Sequence, residues 1–223
     1  MMEKTNISGV YKEKNQLYTI NIEKQSRRKT YNERIIKRNN KEYRSWNPYK
    51  SKLAAAILNG LEIELKKDFD VLYLGAATGT TVSHISDICK DGMVYAVEFS
   101  PVSMKKLVEL SECRDNIIPI LADANHPDRY SSIVPKVDLV YQDISQRNQT
   151  EIFISNVSNY LKKSDFGILM VKARSIDVSL KPDKIYENVC SILEENKLNV
   201  VDVINLDPYE KDHAVIITKH HYK

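Results

Sequence analysis

The chain has 223 residues and a mass of 25.7 kDa, with 42% hydrophobic and 28% charged residues, a composition that excludes a disordered or low-complexity protein. A single core can hold a chain of this size, burying roughly 70% of the unfolded surface without staples. No apolar run nears the ~18 residues of a membrane span, residues 1–6 lack the apolar core of a secretory signal, and Cys89, Cys113 and Cys190 form no CxxC pair. These features point away from a membrane, a disulfide framework or structural zinc, and toward a reducing cytoplasm.

The net charge of +3 hides a split: residues 1–52 carry a balance of +9 and residues 53–223 a balance of −6. The densest basic run is Arg27, Arg28, Lys29, Arg34, Lys37, Arg38, Lys41 and Arg44, interleaved with Tyr31, Tyr43 and Trp46. Basic and aromatic residues in alternation suit a nucleic acid, through its backbone and through stacking on unpaired bases or ribose. The plainer alternative is a solvated edge strand protected by its charge.

In chain order, Val10 and Leu17–Ile22 read as short strands about a turn at Asn15-Gln16, and polar residues 24–45 as a mobile or partner-ordered connection. Residues 1–46 then form a small β-rich region. Asn47-Pro48 reads as the N-cap and first residue of a helix through Ser51–Leu58, with Gly60 as its stop. From residue 69 strands and helices alternate. Strands fall at Val71–Leu74, Met93–Val97, Ile117–Leu121, Val137–Gln142 and Gly167–Lys172. Helices fall at Thr81–Lys90, Pro101–Glu112, Asn148–Leu161 and Pro182–Glu195. The last strands, Val200–Asn205 and Ala214–Thr218, are joined too closely for a helical crossover and must pair antiparallel. Residues 47–223 therefore predict an α/β domain with a doubly wound, mostly parallel seven-stranded sheet and an antiparallel last strand. Its ligand belongs beyond the carboxyl ends of the strands, at the switch point.

Two of only six glycines fall in Gly75-Ala76-Ala77-Thr78-Gly79-Thr80-Thr81, directly after the first buried strand. Glycine there permits a sharp turn and close ligand approach, although the spacing is not the Gly-x-Gly-x-x-Gly of a dinucleotide site. Glu98 ends the second strand, where a carboxylate can accept from both hydroxyls of a ribose, and Phe99 beside it can pack on adenine. Asp123-Ala124 ends the third strand, Asp143 the fourth and Lys172 the fifth, while His213 starts the last. Each alone could be a cap, a turn residue or a snorkelling lysine. Ordered at successive strand ends, they outline one site.

Taken together, Tyr43-Arg44-Ser45-Trp46-Asn47-Pro48, Ser51–Leu58, Gly75-Ala76 with Gly79–His84, and Pro208–Ala214 resemble the fibrillarin family, in particular its archaeal RNA 2′-O-methyltransferases. The absence of a Gly/Arg-rich leading segment agrees with the archaeal form, and Gln142 departs from the acid more usual in the family. The resemblance implies the Rossmann-like methyltransferase fold and S-adenosylmethionine (SAM) as cofactor, released as S-adenosylhomocysteine, with no metal. It places the methionine portion on Gly75, Ala76, Thr80 and Thr81, the ribose on Glu98, and the adenine on Phe99, Asp123 and Ala124. Asp143, Ile144, Ser145 and Gln146 would close the pocket. The family's catalytic Lys-Asp-Lys-His set falls on Lys52, Asp143, Lys172 and His213, with Asp143 orienting Lys172. The implied partners are a box C/D guide RNA, target rRNA or tRNA, a Nop-domain scaffold and a kink-turn-binding ribosomal-type protein. The competing readings are a stand-alone small-molecule or protein methyltransferase and a catalytically silent RNA-binding scaffold subunit.

Overall fold

The computed structural model describes residues 2–22 and 30–220. Five strands precede the first helix: β1 (Glu3–Lys4), β2 (Val10–Glu13), β3 (Gln16–Ile20), β4 (Ile35–Arg38) and β5 (Lys41–Trp46). They form an antiparallel sheet in the order β1-β2-β3-β5-β4. Glu13 pairs with Gln16 across a two-residue loop, so the first turn lies at Lys14-Asn15, one residue earlier than expected. The expected connection at 24–45 is, in its second half, a hairpin. Arg38 pairs with Lys41, and Asn39 and Asn40 both have positive φ (49° and 60°), the backbone of a hairpin turn that asparagine tolerates well. Arg27, Arg28 and Lys29 lie outside the described residues.

Helix α1 (Lys52–Leu58) begins later than the Asn47-Pro48 signal predicted. Its N-cap is Ser51, whose hydroxyl accepts from the Ala54 amide, while Asn47 instead accepts from Tyr49 N–H in a local turn. Gly60 ends it as predicted. With φ at +102°, its N–H reaches the Ile57 carbonyl and Leu61 N–H the Ala56 carbonyl, the paired bonds of a Schellman cap.

The remaining elements are β6 (Val71–Leu74), α2 (Thr80–Ile88), β7 (Val94–Glu98), α3 (Pro101–Ser111), β8 (Ile117–Leu121), a 3₁₀ turn at Pro127–Tyr130, β9 (Val137–Gln142), α4 (Gln149–Tyr160), β10 (Leu161–Lys172), α5 (Ala173–Ile176), α6 (Pro182–Glu195), β11 (Leu198–Asn205) and β12 (His213–His220). Their sheet runs β11-β12-β10-β9-β6-β7-β8, with only β12 antiparallel to its neighbours. The order reverses between β6 and β9, which is the switch point. Leu53–Ala56 of α1, Val82 and Ile85 of α2, and Leu107 of α3 cover one face of the sheet; Phe153 and Val157 of α4 and Val189 and Leu193 of α6 cover the other. Ile7, Val10, Leu17 and Trp46 of the N-terminal part belong to the first of these cores, so the small sheet and that face share one apolar interior.

The seam between the two sheets overturns the RNA-facing reading of part of the basic run. Arg44 is fully buried, with Glu33 at 2.8 Å and Asp87 at 2.7 Å, and Asp87 also takes the buried Arg114 at 2.7 Å. Trp46 is buried and stacks on His84 (4.7 Å between centroids), Tyr43 is buried, and the Tyr31 hydroxyl meets His84 Nε2 at 2.6 Å. These residues hold the fold together and do not face an RNA. A full guanidinium charge can be buried only with carboxylates against it, and Glu33 and Asp87 supply them. Around His84, Nδ1 meets Thr19 Oγ at 2.8 Å and Nε2 meets the Tyr31 hydroxyl, while Thr19 donates to Asp87 at 2.6 Å and the Tyr31 hydroxyl also reaches the Ser45 carbonyl at 3.0 Å. Burial, reinforced by the Arg44 and Arg114 charges, holds His84 well below its ordinary pKa and therefore neutral.

Two outcomes follow from this seam. Asp87→Asn leaves two buried guanidinium groups short of charge and should cost about 3–5 kcal/mol in denaturant unfolding. His84 takes up a proton near pH 6.5 only when unfolded, so its contribution is complete above that pH and declines below it, by up to ~1.4 kcal/mol per unit. Melting curves at pH 5 and pH 7 should therefore differ less for His84→Gln than for the unsubstituted chain.

Candidate active site

Five strand ends bring the expected residues to one edge. Residues that alternate with the first core along each strand are Tyr73 then Gly75, Ala96 then Glu98, Tyr141 then Asp143, Met170 then Lys172, and Val215 preceded by His213. With a period of two, Asp143, Lys172 and His213 share the sheet face that α1 covers, and Lys52 opens α1. The Lys52 ammonium reaches both carboxylate oxygens of Asp143, at 2.8 and 3.1 Å, with each side chain less than one-fifth exposed.

Lys172 and His213 are direct cross-strand partners. The Lys172 N–H and carbonyl point away from β12, to Gln149, and the His213 carbonyl accepts from Leu206, just past the end of β11. The two therefore form a non-hydrogen-bonded pair, the kind whose side chains approach more closely. His213 is buried, and its Nδ1–H donates to the Lys211 carbonyl at 2.7 Å, which leaves Nε2 as the ring's acceptor. The structure corrects one expectation here: Asp143 orients Lys52, not Lys172, which has no ion pair among the described residues. Beneath Asp143 the rings of Tyr73 and Tyr141 stack at 4.5 Å. Burial pushes both phenols far up, reinforced at Tyr73 by the Asp143 charge and at Tyr141 by Tyr73 and then Asp143, so neither can serve as a base near neutral pH.

Beside this cluster, at the β6/β9 switch point, lies an open cavity of about 320 Å³. Gly75, Glu98, Phe99, Asp123, Ala124 and the stretch Asp143–Gln146 line it, as expected, together with Ala77, Val97, Ala122 and Ile152, which sequence reasoning missed. Val97 and Ile152 were hidden because an apolar residue facing a ligand looks the same in sequence as one facing the core. Ala77 carried no signal at all: its φ of 48° is a conformation usually left to glycine or asparagine, and its N–H donates to Glu98 at 2.7 Å. Three other expected residues lie off this cavity's wall: Ala76 is buried in the core, the buried Thr81 donates its hydroxyl to Ser51 at 3.0 Å, and neither they nor Thr80 line the cavity.

Each Glu98 oxygen accepts one backbone N–H, from Ala77 or from Ser100, and keeps a lone pair for a further donor. Asp123 is held below the usual carboxylate range by the backbone and side-chain bonds from Asn125, so it stays an acceptor. Asn125 ties on to Gln146 at 3.2 Å and Asn148 at 2.7 Å, joining the β8 and β9 ends. The Phe99 ring is 69% exposed, a flat apolar plate at the cavity mouth. Three carboxylates and no lysine or arginine line the cavity. Such a lining suits a ligand with hydroxyls, amines or a positive charge and opposes a pyrophosphate. Among the described residues no cluster could hold a metal ion.

The fibrillarin family model matches residues 1–222. The fibrillarin-like rRNA/tRNA 2′-O-methyltransferase of Methanocaldococcus jannaschii is 49% identical over 191 residues, covering 85% of this chain and 83% of that protein. Among solved structures, the fibrillarin of a fibrillarin/Nop5p complex superposes with a TM-score of 0.89 at 43% identity, covering 97% of this chain and 100% of that one. Aeropyrum pernix fibrillarin with natively bound S-adenosyl-L-methionine superposes with a TM-score of 0.87 at 39% identity, covering 98% and 97%.

The tightest point of the site is Gly75, at φ +81°, where an added Cβ would stand 2.4 Å from the Asp143 carbonyl oxygen. Gly75→Ala must therefore push the β6 and β9 ends apart. It should lower stability by at least about 2 kcal/mol in denaturant unfolding, more than the ~1 kcal/mol of an ordinary glycine change.

Proposed function

The chain belongs to the fibrillarin family, and from that premise we propose that it transfers a methyl group from SAM to the 2′-oxygen of ribose in rRNA and tRNA. It does so as the catalytic subunit of a box C/D guide RNA-protein complex. A carboxylate-rich, phosphate-averse cavity next to a lysine–carboxylate pair is the observation that carries this reading. The cavity residues fit the cofactor. Glu98 retains the two lone pairs that a ribose diol needs, and Asp123 is a charged acceptor for the adenine amino group. Phe99 offers a face for the ring, and Gly75 leaves room where a side chain would intrude. Asp143 adds negative charge at the end nearest Lys52.

When bound, SAM supplies a methyl group on a sulfonium, which a nucleophile displaces in line to leave S-adenosylhomocysteine. The difficulty left to the protein is the ribose hydroxyl, whose proton is held tightly near pH 7. Lys52 places a fixed cation where negative charge grows on that oxygen, and Asp143 holds the ammonium at 2.8 Å. Lys172 accepts or disperses the departing proton. His213, with Nε2 as its acceptor nitrogen, positions the ribose or relays the proton. Holding hydroxyl and methyl donor in line supplies the larger share of the rate.

Substrate choice rests outside this cavity. Base pairing with the guide selects the nucleotide, a Nop-domain scaffold of the Nop5p kind docks the subunit, and a kink-turn-binding ribosomal-type protein anchors the RNA. Lys37 and Lys41 lie exposed on the N-terminal sheet and add salt-dependent attraction to the RNA backbone.

The decisive measurement is radiolabel transfer from SAM to a guided RNA, with and without the scaffold proteins. Transfer should require them, and Lys172→Ala should lower kcat at least about 100-fold while SAM binding by calorimetry stays within twofold. Near-normal turnover by that variant would remove Lys172 from the chemistry. Glu98→Ala should do the reverse, weakening SAM affinity about tenfold or more through the lost charge-assisted hydrogen bonds.

A further inference from the structure

The ladder between β9 and β10 ends at the pair Gln142 and Leu169, three residues short of Lys172. On its other side β10 continues beside β12, but at Lys172 the backbone N–H and carbonyl face the vacated β9 side. A strand end with both groups unpaired would be free to twist. Gln149, the first residue of α4, fills the gap. Its side chain is wholly buried; Oε1 accepts the Lys172 N–H at 3.0 Å, and Nε2 reaches the Lys172 carbonyl at 3.3 Å and the Gln146 carbonyl at 2.9 Å. One carboxamide thus answers both backbone groups of Lys172, as the peptide of a neighbouring strand would. The clamp is itself held, because Gln142, the last residue of β9, donates its Nε2 to the Gln149 carbonyl at 2.6 Å. An ionised acid at position 142 could not make that bond.

We propose that Gln149 is a positioning residue for methyl transfer: its carboxamide stands in for a missing strand, fixing the Lys172 peptide and so the placement of the Lys172 side chain opposite His213. The same amide ties Lys172 to Gln146, which lines the cofactor cavity, so Lys172 and the cofactor wall are set by one side chain. The inference rests on the reading that Lys172 serves the reaction. Positioning errors of about 1 Å cost enzymes up to ~100-fold, which sets the scale of the effect.

The test uses the complete guided RNA-protein complex with three substitutions in parallel. Gln149→Met keeps the volume and removes every polar bond. It should lower kcat at least about tenfold, leave the KM for guided RNA and the SAM affinity within twofold, and speed hydrogen exchange of the Lys172 amide at least tenfold. Gln149→Glu keeps the acceptor for the Lys172 N–H but loses both donors, and should turn over at a rate between those of Gln149→Met and the unsubstituted chain. A role confined to stability would lower the melting temperature and the SAM affinity together with the rate. That pattern, or a Gln149→Met kcat within twofold of the unsubstituted chain, overturns the proposal. If Gln149→Met does not fold, Gln149→Glu decides: a kcat loss of at least threefold with SAM binding intact supports the clamp, and an unchanged kcat overturns it. Lys172→Ala separates the two layers, since normal turnover there overturns the assignment of Lys172 itself, whatever Gln149 does.

Discussion

The reacting edge depends on an ion pair between two elements that are far apart in the chain. Lys52 begins the first helix and Asp143 follows the fourth parallel strand, 91 residues later, yet ammonium and carboxylate meet at 2.8 Å with little water around them. A pair this shielded contributes little net stability, because desolvation offsets most of the Coulomb gain. Its effect is on placement. It fixes a cation against Asp143, one wall of a cavity whose charged lining residues, Glu98, Asp123 and Asp143, are all acidic. Neither half could sit where it does without the helix being docked to the sheet.

That docking is the work of the N-terminal sheet. Its apolar residues join the core under α1 and α2, and its seam with the larger sheet is a buried network of two arginines, two carboxylates, a neutral histidine and a tyrosine. Two of its nitrogens, Arg114 Nε and Nη2, are buried without a hydrogen-bond partner among the described residues, so the buried guanidinium groups depend on the carboxylates beside them. The Ser51 hydroxyl extends the tie by capping α1 while accepting from Thr81 of α2. The Ser51 cap, the start of α2 and Lys52 are therefore parts of one corner.

A second principle at this edge is the replacement of strand partners by side chains. Where β9 stops, Gln149 takes over its hydrogen bonds, and across the cavity between the β8 and β9 ends Asn125 links Asp123, Gln146 and Asn148. A cleft opens at a switch point because the connections on its two sides run to opposite faces of the sheet, and beside it β10 runs on past its β9 partner. Amide side chains carry both a donor and an acceptor, so they can restore the bonding without closing the cleft.

The alternation of strands and helices from residue 69, the glycine stop of the first helix, the antiparallel last strand and the order of acids at successive strand ends were all legible in the sequence. Each is a local consequence of hydrophobic period, of φ at glycine or of connection length. Asp143, Lys172 and His213 stood out at the strand ends and Lys52 came with the resemblance, and the period-two alternation of each strand agrees with placing the first three on one face. What only the tertiary structure decided is where partners lie. Arg44, Tyr31, Tyr43 and Trp46 look in sequence like an RNA-binding surface, because an arginine seeking phosphate and one seeking buried carboxylates are the same residue. Glu33, Asp87 and Arg114, which turn the arginine inward, are scattered over 82 residues of chain. Thr81 and Ala76 look like ligand contacts for the same reason, and Asp143 looks like a partner for Lys172. Which donor meets which acceptor depends on distances between elements, and a sequence carries no such distances.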